Sequence, residues 1–197
     1  MKRLPKIIVA WLLVICLLSA VLPSVFVQAA SREQTANQAF ARGIAYGKIK
    51  YNARRGSYGF FDVDRDGVKE LIITDEGVYT FWKYAKGKIS KLTEIIVEFT
   101  FGYDKKTKMY WEWGEGDGGW IIGYKFSGGK FKKSGIEYHA GYDLDIGKMV
   151  AKKIVKGKTY RISQKKYTKI WEGITNRNDF HLKKGKKVEV IQNLLRK

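Results

Sequence analysis

The chain has 197 residues, a formal net charge of +19 and an aromatic content of 14%. This apolar and aromatic content excludes an intrinsically disordered protein, and the length fits one domain after a short leader. The single cysteine, Cys16, falls inside that leader, so disulfides and thiol catalysis are excluded for the rest of the chain.

Residues 1–29 have the layout of a secretory signal peptide. Basic residues come first, an apolar run covers 7–22, and small residues precede a cleavage site after Ala29. We therefore expect one secreted domain over residues 30–197, with no membrane association once the signal is removed. The alternative is an uncleaved anchor, because the apolar run approaches the length that spans a bilayer.

The predicted elements of the secreted domain begin with a helix from residue 32 to about residue 50, where apolar residues recur at a helical period. Short β-prone runs follow, separated by turns rich in aspartate and glycine. These runs cover residues 58–61, 71–74, 78–84, 95–101, 108–113, 120–126 and 130–138.

Two pairs of turn residues, Lys86-Gly87 and Gly128-Gly129, lie between such runs, and a third pair, Lys156-Gly157, lies between two further apolar runs. Glycine permits positive φ angles and lysine keeps a corner solvated, so each pair predicts a hairpin tip. Consecutive hairpins of this kind produce an antiparallel meander.

Two helices are predicted near the C-terminus. Ser163 is placed to cap a helix over 164–171, and a last helix carries an apolar stripe. The stripe consists of Val188, Ile191, Leu194 and Leu195. The fold class that follows is α+β, with an N-terminal helix, an antiparallel β-meander of about six to eight strands and C-terminal helices.

The pattern with the clearest chemistry is the loop Asp62-Val63-Asp64-Arg65-Asp66-Gly67-Val68-Lys69-Glu70. Hard cations with six to eight oxygen ligands need several carboxylates that converge on one point. Alternate positions let a curved loop aim its aspartates inward, and Gly67 permits the sharp turn. We expect a calcium ion here, bound by the side chains of Asp62, Asp64, Asp66 and Glu70 and by the carbonyl of Val68.

The local charge supports the same prediction, because four clustered carboxylates repel one another unless a cation neutralises them. The alternative is a solvated, metal-free acidic turn. Such a turn tolerates the repulsion but requires neither the alternation nor the glycine.

Residues 60–73 resemble the D-x-D-x-D-G-x-x-[DE] loops of integrin-type FG-GAP repeats. They also resemble small secreted proteins of Gram-positive bacteria that carry one such EF-hand-like loop after an N-terminal helix. The resemblance implies calcium binding through the same four side chains and one backbone carbonyl. The loop differs from a helix-loop-helix EF-hand, because Ile73 stands at the twelfth position. It also differs from a dockerin, because the sequence has no second loop of this kind.

The last fifty residues, 148–197, contain sixteen lysines and arginines against three acidic residues. A basic region of this kind attracts polyanions such as teichoic acid, nucleic acid or acidic glycans. The competing interpretation is that the lysines only keep an exported domain soluble. No nucleic-acid motif is present, so no specific nucleic-acid partner is predicted.

Enzyme signatures are few, since only two histidines occur and no nucleophile or phosphate-binding motif is present. The best glycosidase-like arrangement pairs Glu112 with Glu115, or Glu115 with Asp117, beside Trp111, Trp113 and Trp120. We expect a non-enzymatic, secreted, calcium-binding structural or binding module at or near the bacterial cell surface. Its candidate partner is an anionic cell-wall polymer or glycan, and glycan binding or hydrolysis is the second alternative.

Overall fold

The computed structural model describes residues 32–115, 118–178 and 180–196. Within these ranges, helix α1 covers 32–45, ten antiparallel strands follow, and helices α2 and α3 come last. The predicted α+β class is therefore confirmed. The strands are β1 Ser57–Phe61, β2 Glu70–Asp75, β3 Val78–Ala85, β4 Lys88–Ile96, β5 Thr100–Asp104, β6 Met109–Gly114, β7 Trp120–Ser127, β8 Lys130–Asp143, β9 Lys148–Val155 and β10 Lys158–Ile162, and the helices are α2 Gln164–Thr175 and α3 Lys187–Leu195.

The described strands form two meandering sheets in which neighbours in sequence are neighbours in space. The first sheet has the order β1-β2-β3-β4, and the second has the order β10-β9-β8-β7-β6-β5. The chain leaves the first sheet after β4 and enters the second at β5. All the pairings are antiparallel.

The described residues contain more strands than the expected six to eight, because lysine, arginine and other polar residues interrupt the apolar pattern of β4, β9 and β10. Lysine on the solvent face hides the β-prone alternation of a strand. The predicted single strand over 95–101 is wrong, since β4 ends at Ile96 and β5 begins at Thr100. Residues 97–99 separate the two strands, and the N–H of Val97 donates to the carbonyl of Gly77 at 2.9 Å, at the end of the β3–β4 ladder.

The three predicted hairpin tips are confirmed as two-residue turns. Ala85 pairs with Lys88 across the first tip, and Val155 pairs with Lys158 across the third. At the first tip Lys86 has a φ of 50° and Gly87 a φ of 76°. Positive φ at both central residues gives a turn whose twist matches that of the paired strands.

Three apolar clusters hold the layers together. The helices α1 and α3 pack on one face of the first sheet, the two sheets pack on each other, and α2 packs on the outer face of the second sheet. Strand β2 is buried on both faces, because Leu71 and Ile73 face the helices while Ile72 faces the second sheet. The loop 62–70, which we call the acidic loop, leads directly into this central strand.

The C-terminal helices differ in part from their predicted forms. The cap of α2 is confirmed, since Ser163 Oγ accepts the N–H of Lys166 at 3.3 Å, but the helix continues to Thr175. The predicted stripe of α3 is wrong at Val188 and Leu195, which are 63% and 56% exposed. The stripe is confirmed at Leu194, which is buried, and at Ile191, which is partly buried, while Val190 is buried although it was not predicted.

The predicted signal peptide, residues 1–29, lies outside the described residues. None of the helices in the described ranges is long and apolar enough to span a membrane.

Candidate metal centre

The acidic loop connects two paired strands, since Phe61 at the end of β1 lies opposite Glu70 at the start of β2. Val63 is 2% exposed and packs in the core between the two sheets. Tyr110 of the second sheet donates its hydroxyl to the carbonyl of Val63 at 3.1 Å. The loop is therefore fixed at its first turn by the core and not only by its own hydrogen bonds.

Three of the four predicted carboxylate ligands lie together. One oxygen from each of Asp62, Asp64 and Glu70 falls within 4.8 Å of the others. Glu70 is 1% exposed, whereas Asp62 and Asp64 are half-buried. The cluster thus has a dry side at Glu70 and a wetter side at the aspartates.

The Glu70 carboxylate is only half satisfied. Its Oε2 accepts the N–H of Val63 at 2.7 Å, while its Oε1 is buried and has no hydrogen-bond partner. Burial raises the pKa of this carboxyl to about 8, against the opposing hydrogen bond from Val63. Asp64 Oδ1 is likewise buried without a partner. Native proteins rarely leave such atoms unpaired, so each requires an explanation.

Asp62 organises the curve of the loop. Its Oδ1 accepts the N–H of Asp66 at 3.1 Å, and its Oδ2 accepts the N–H of Gly67 at 3.0 Å. Gly67 has a φ of 85°, which favours glycine strongly. The glycine that the sequence marked is therefore used as expected.

Asp66 stands apart from the other three carboxylates. Its Oδ1 accepts the N–H of Val68 at 2.9 Å, and its Oδ2 accepts a hydrogen bond from Lys83 at 2.6 Å. Burial opposes its ionisation, but Lys83 and the Val68 N–H outweigh burial and hold the pKa of Asp66 below its usual value. The carbonyl of Val68 stays a predicted ligand.

Lys83 is the functional residue that sequence analysis missed. Its Nζ also donates to Asp64 Oδ2, so one ammonium group bridges two of the predicted ligands. Burial lowers its pKa, but the hydrogen bonds to the two aspartates outweigh burial and raise the pKa above the ordinary value. The sequence feature that could have identified Lys83 is its position between Trp82 and Tyr84, as a charged residue among aromatic neighbours in a strand.

The glycosidase-like arrangement is not assembled among the described residues. Glu112 is 6% exposed, and its two oxygens accept the N–H of Glu98 at 3.0 Å and the hydroxyl of Tyr124 at 2.7 Å. This carboxylate therefore has a structural role in joining β6 to its neighbours. Glu115 is exposed, and Asp117 lies outside the described residues.

The three tryptophans do not form a common platform. Trp111 and Trp113 belong to the core beneath α2. Trp120 precedes the buried Ile121 on β7 and so points to the opposite face, where its ring lies 5.6 Å from that of Phe99.

A second feature is a groove of about 640 Å³ between β1 and the C-terminal segment, which we name the basic groove. Its described lining contains several cationic or ionisable basic groups, one acid and four aromatic residues. The basic residues are Lys69, Lys105, His181, Lys183 and Arg196, the acid is Asp62, and the aromatic residues are Tyr58, Phe60, Phe61 and Phe180.

No protein-family model matches this chain, and no curated protein or solved structure matches it. The fold and the site therefore define the chain only by its architecture. It is an α+β protein with two packed antiparallel sheets and an acidic loop that leads into the central strand β2.

Proposed function

We propose that the protein binds one calcium ion in the loop 62–70 and is a secreted structural or binding module that acts at or near the cell surface. The observation that carries the proposal is the buried, unpartnered Oε1 of Glu70 beside Asp62 and Asp64. An unsatisfied buried acceptor costs about 1–3 kcal/mol, and more when it is charged. A divalent cation within the cluster removes this cost.

Calcium suits these donors better than zinc or magnesium. The cluster offers oxygen atoms alone, whereas zinc sites are built mainly from sulfur and nitrogen. Calcium accepts six to eight oxygens in irregular geometry, but magnesium demands a near-ideal octahedron. A loop of carboxylates with unequal burial, completed by a carbonyl and water, fits the less demanding ion.

The proposed ion has a structural role because it joins the end of β1 to the start of β2. Extracellular modules of this type bind calcium with dissociation constants of roughly 10⁻⁴–10⁻³ M. At millimolar calcium, mass action then adds roughly 0.5–1.5 kcal/mol to the free energy of unfolding. The signal-like pattern in residues 1–29 supports an extracellular location, where such weak sites are used.

Thermal melting of the purified protein in millimolar calcium and in chelator tests the proposal. We expect calcium to raise the melting temperature by roughly 2–4 °C. Asp64→Ala abolishes this rise, whereas Asp145→Ala, in the exposed turn between β8 and β9, keeps it. A wild-type melting temperature that is equal in calcium and chelator contradicts the proposal.

A second candidate function is the binding of an anionic polymer, and the basic groove favours it. Its basic residues come from separate parts of the chain: Lys69 from the acidic loop, Lys105 from the β5–β6 turn and Lys183 from the C-terminal segment. A groove with this charge suits a chain of phosphates or carboxylates, as in a teichoic acid or acidic glycan.

Elution from immobilised heparin with rising salt tests this candidate. The double variant Lys183→Glu and Arg196→Glu changes the charge of the groove, and Lys156→Glu with Lys158→Glu makes the same change at a distant hairpin tip. If the groove binds the polymer, the first pair lowers the eluting salt concentration much more than the second. Equal losses indicate attraction by total charge alone.

A further inference from the structure

The side chain of Lys83 comes from outside the acidic loop. On β3, Trp82 and Tyr84 pack towards the helices, whereas Phe81 packs in the core between the sheets. Alternation along the strand places Lys83 on the same side as Phe81. That side carries Val63 and the loop, so β3 delivers an ammonium group to the acidic loop at the edge of the core.

The contacts of Lys83 cover one half of the acidic loop. Its Nζ donates to Oδ2 of Asp64 and Oδ2 of Asp66, and its side chain is only 19% exposed. The buried oxygens Asp64 Oδ1 and Glu70 Oε1 have no partner. The ammonium group therefore pairs with the outer oxygens of Asp64 and Asp66 and leaves the buried oxygens of Asp64 and Glu70 without a partner.

The two basic residues inside the loop are engaged elsewhere. Arg65 donates to the hydroxyl of Tyr103 at 3.3 Å, and Lys69 pairs with Glu33 at 2.9 Å. Neither contact is with a loop carboxylate. The charge compensation seen at Asp64 and Asp66 thus comes from a neighbouring strand.

We propose that Lys83 is the resident cation of the calcium-free loop and that calcium must displace it from Asp64 and Asp66. This inference rests on the proposed calcium site and adds the residue that sets its affinity. Coordination needs Asp64 and Asp66 to turn towards the ion, and a retained ammonium group would repel a divalent cation at short range. The charge-assisted hydrogen bonds of Lys83 are lost in the exchange, so they weaken calcium binding.

The ammonium group of Lys83 also stabilises the loop when calcium is scarce. Without any cation, the carboxylates of Asp64 and Asp66 lie beside Glu70 and Asp62 with nothing to offset their repulsion. Lys83 supplies that offset in part. Lys83 therefore lowers the calcium affinity, but the loop keeps its shape with and without calcium.

The test compares Lys83→Met with Lys88→Met, which removes the same charge from an exposed position at the β3–β4 tip. Lys83→Gln is a second variant that retains a hydrogen-bond donor if the methionine variant fails to fold. Calcium is titrated into chelator-treated, dialysed protein by calorimetry, and melting temperatures are measured in calcium and in chelator.

We expect removal of the Lys83 charge to strengthen calcium binding about tenfold or more. The same change lowers the melting temperature in chelator, and Lys88→Met changes neither quantity. Equal calcium affinity in wild type and in the Lys83 variants overturns this inference and leaves the calcium site intact.

Two further outcomes separate the inference from the proposed function. If the wild type binds no calcium and the Lys83 variants do, Lys83 holds the site permanently, which supports its role as resident cation and overturns calcium binding by the natural chain. If none of the proteins binds calcium, both proposals are overturned.

Discussion

The hydroxyl of Tyr110, on the second sheet, donates a 3.1 Å hydrogen bond to the carbonyl of Val63 in the acidic loop of the first sheet. Because Val63 is also buried between the sheets, the loop and the sheet-to-sheet core form one unit. The geometry of the candidate metal centre is thus coupled to the packing of the whole domain.

This coupling predicts that Tyr110→Phe destabilises the protein. The substitution leaves the buried carbonyl of Val63 without its donor, so we expect the free energy of unfolding to fall by about 1–2 kcal/mol. Denaturant titration measures the change. Tyr46→Phe is the control, because Tyr46 is 85% exposed. Equal stability of the two variants would show that the hydrogen bond between the sheets contributes nothing.

Glu70→Gln is predicted to have opposite effects with and without calcium. In chelator it removes a carboxyl whose pKa burial raises to about 8, so that folding near neutral pH no longer requires proton uptake and the free energy of unfolding rises by about 1 kcal/mol or more. In calcium it removes a charged ligand, so the calcium-dependent rise in melting temperature is lost. Glu172→Gln, on the exposed side of α2, serves as the control. A loss of stability in both conditions contradicts this prediction.

Acid sensitivity is predicted at Asp104, which is fully buried and accepts hydrogen bonds from Arg177 at 3.0 and 3.2 Å. Burial opposes ionisation, but Arg177 and Thr107 outweigh burial and hold the pKa of Asp104 below the usual value of an aspartate. The unfolded chain therefore binds the proton more tightly. The stabilisation is complete above the unfolded pKa and is lost as pH falls through the lower folded pKa.

Replacing Asp104 by Asn should accordingly destabilise the protein near neutral pH by roughly 2–4 kcal/mol. The variant should also lose less stability than the wild type as the pH falls below about 4, the region of an unperturbed aspartate. Melting curves between acidic and neutral pH measure both effects, with Asp145→Asn as the exposed control. Parallel pH profiles for wild type and Asp104→Asn would exclude this role of the ion pair.

Gly59 on β1 is predicted to admit no side chain. A Cβ at this position would lie 2.6 Å from the carbonyl oxygen of Phe180, so the C-terminal segment must shift. We expect Gly59→Ala to lower the free energy of unfolding by about 1–3 kcal/mol. Gly123→Ala is not a suitable control, because its Cβ would meet side chains at 2.7 Å. A denaturant midpoint equal to that of the wild type would mean that the segment adapts freely.

Much of the fold could be predicted from local sequence. Lys86-Gly87 and Lys156-Gly157 marked hairpin tips because few residue pairs accept positive φ twice. Strands β9 and β10 were predicted only through the turn between them, because basic residues on the solvent face interrupt the alternation of apolar residues. The buried face of α3 was misjudged because Val188 and Val190 are equally apolar, and only tertiary packing decides between them.

The clustered carboxylates of the candidate site could be predicted from the sequence, but the cation that pairs with them could not. The spacing of Asp62, Asp64 and Glu70 identified residues that the fold brings together. The separation of Asp66 depends on Lys83, which is far from the loop in sequence and meets it only through the pairing of β2 with β3. A local pattern therefore identifies a loop, whereas the neighbouring strand determines which cation it meets.

The most direct test is a crystal structure of the protein grown in millimolar calcium, with an anomalous difference map to locate the ion. We predict one peak about 2.3–2.6 Å from carboxylate oxygens of Asp62, Asp64, Asp66 and Glu70, with the Nζ of Lys83 withdrawn from Asp64 and Asp66. A map without that peak, in which Lys83 still bridges Asp64 and Asp66 and Glu70 Oε1 stays unpartnered, would contradict the account.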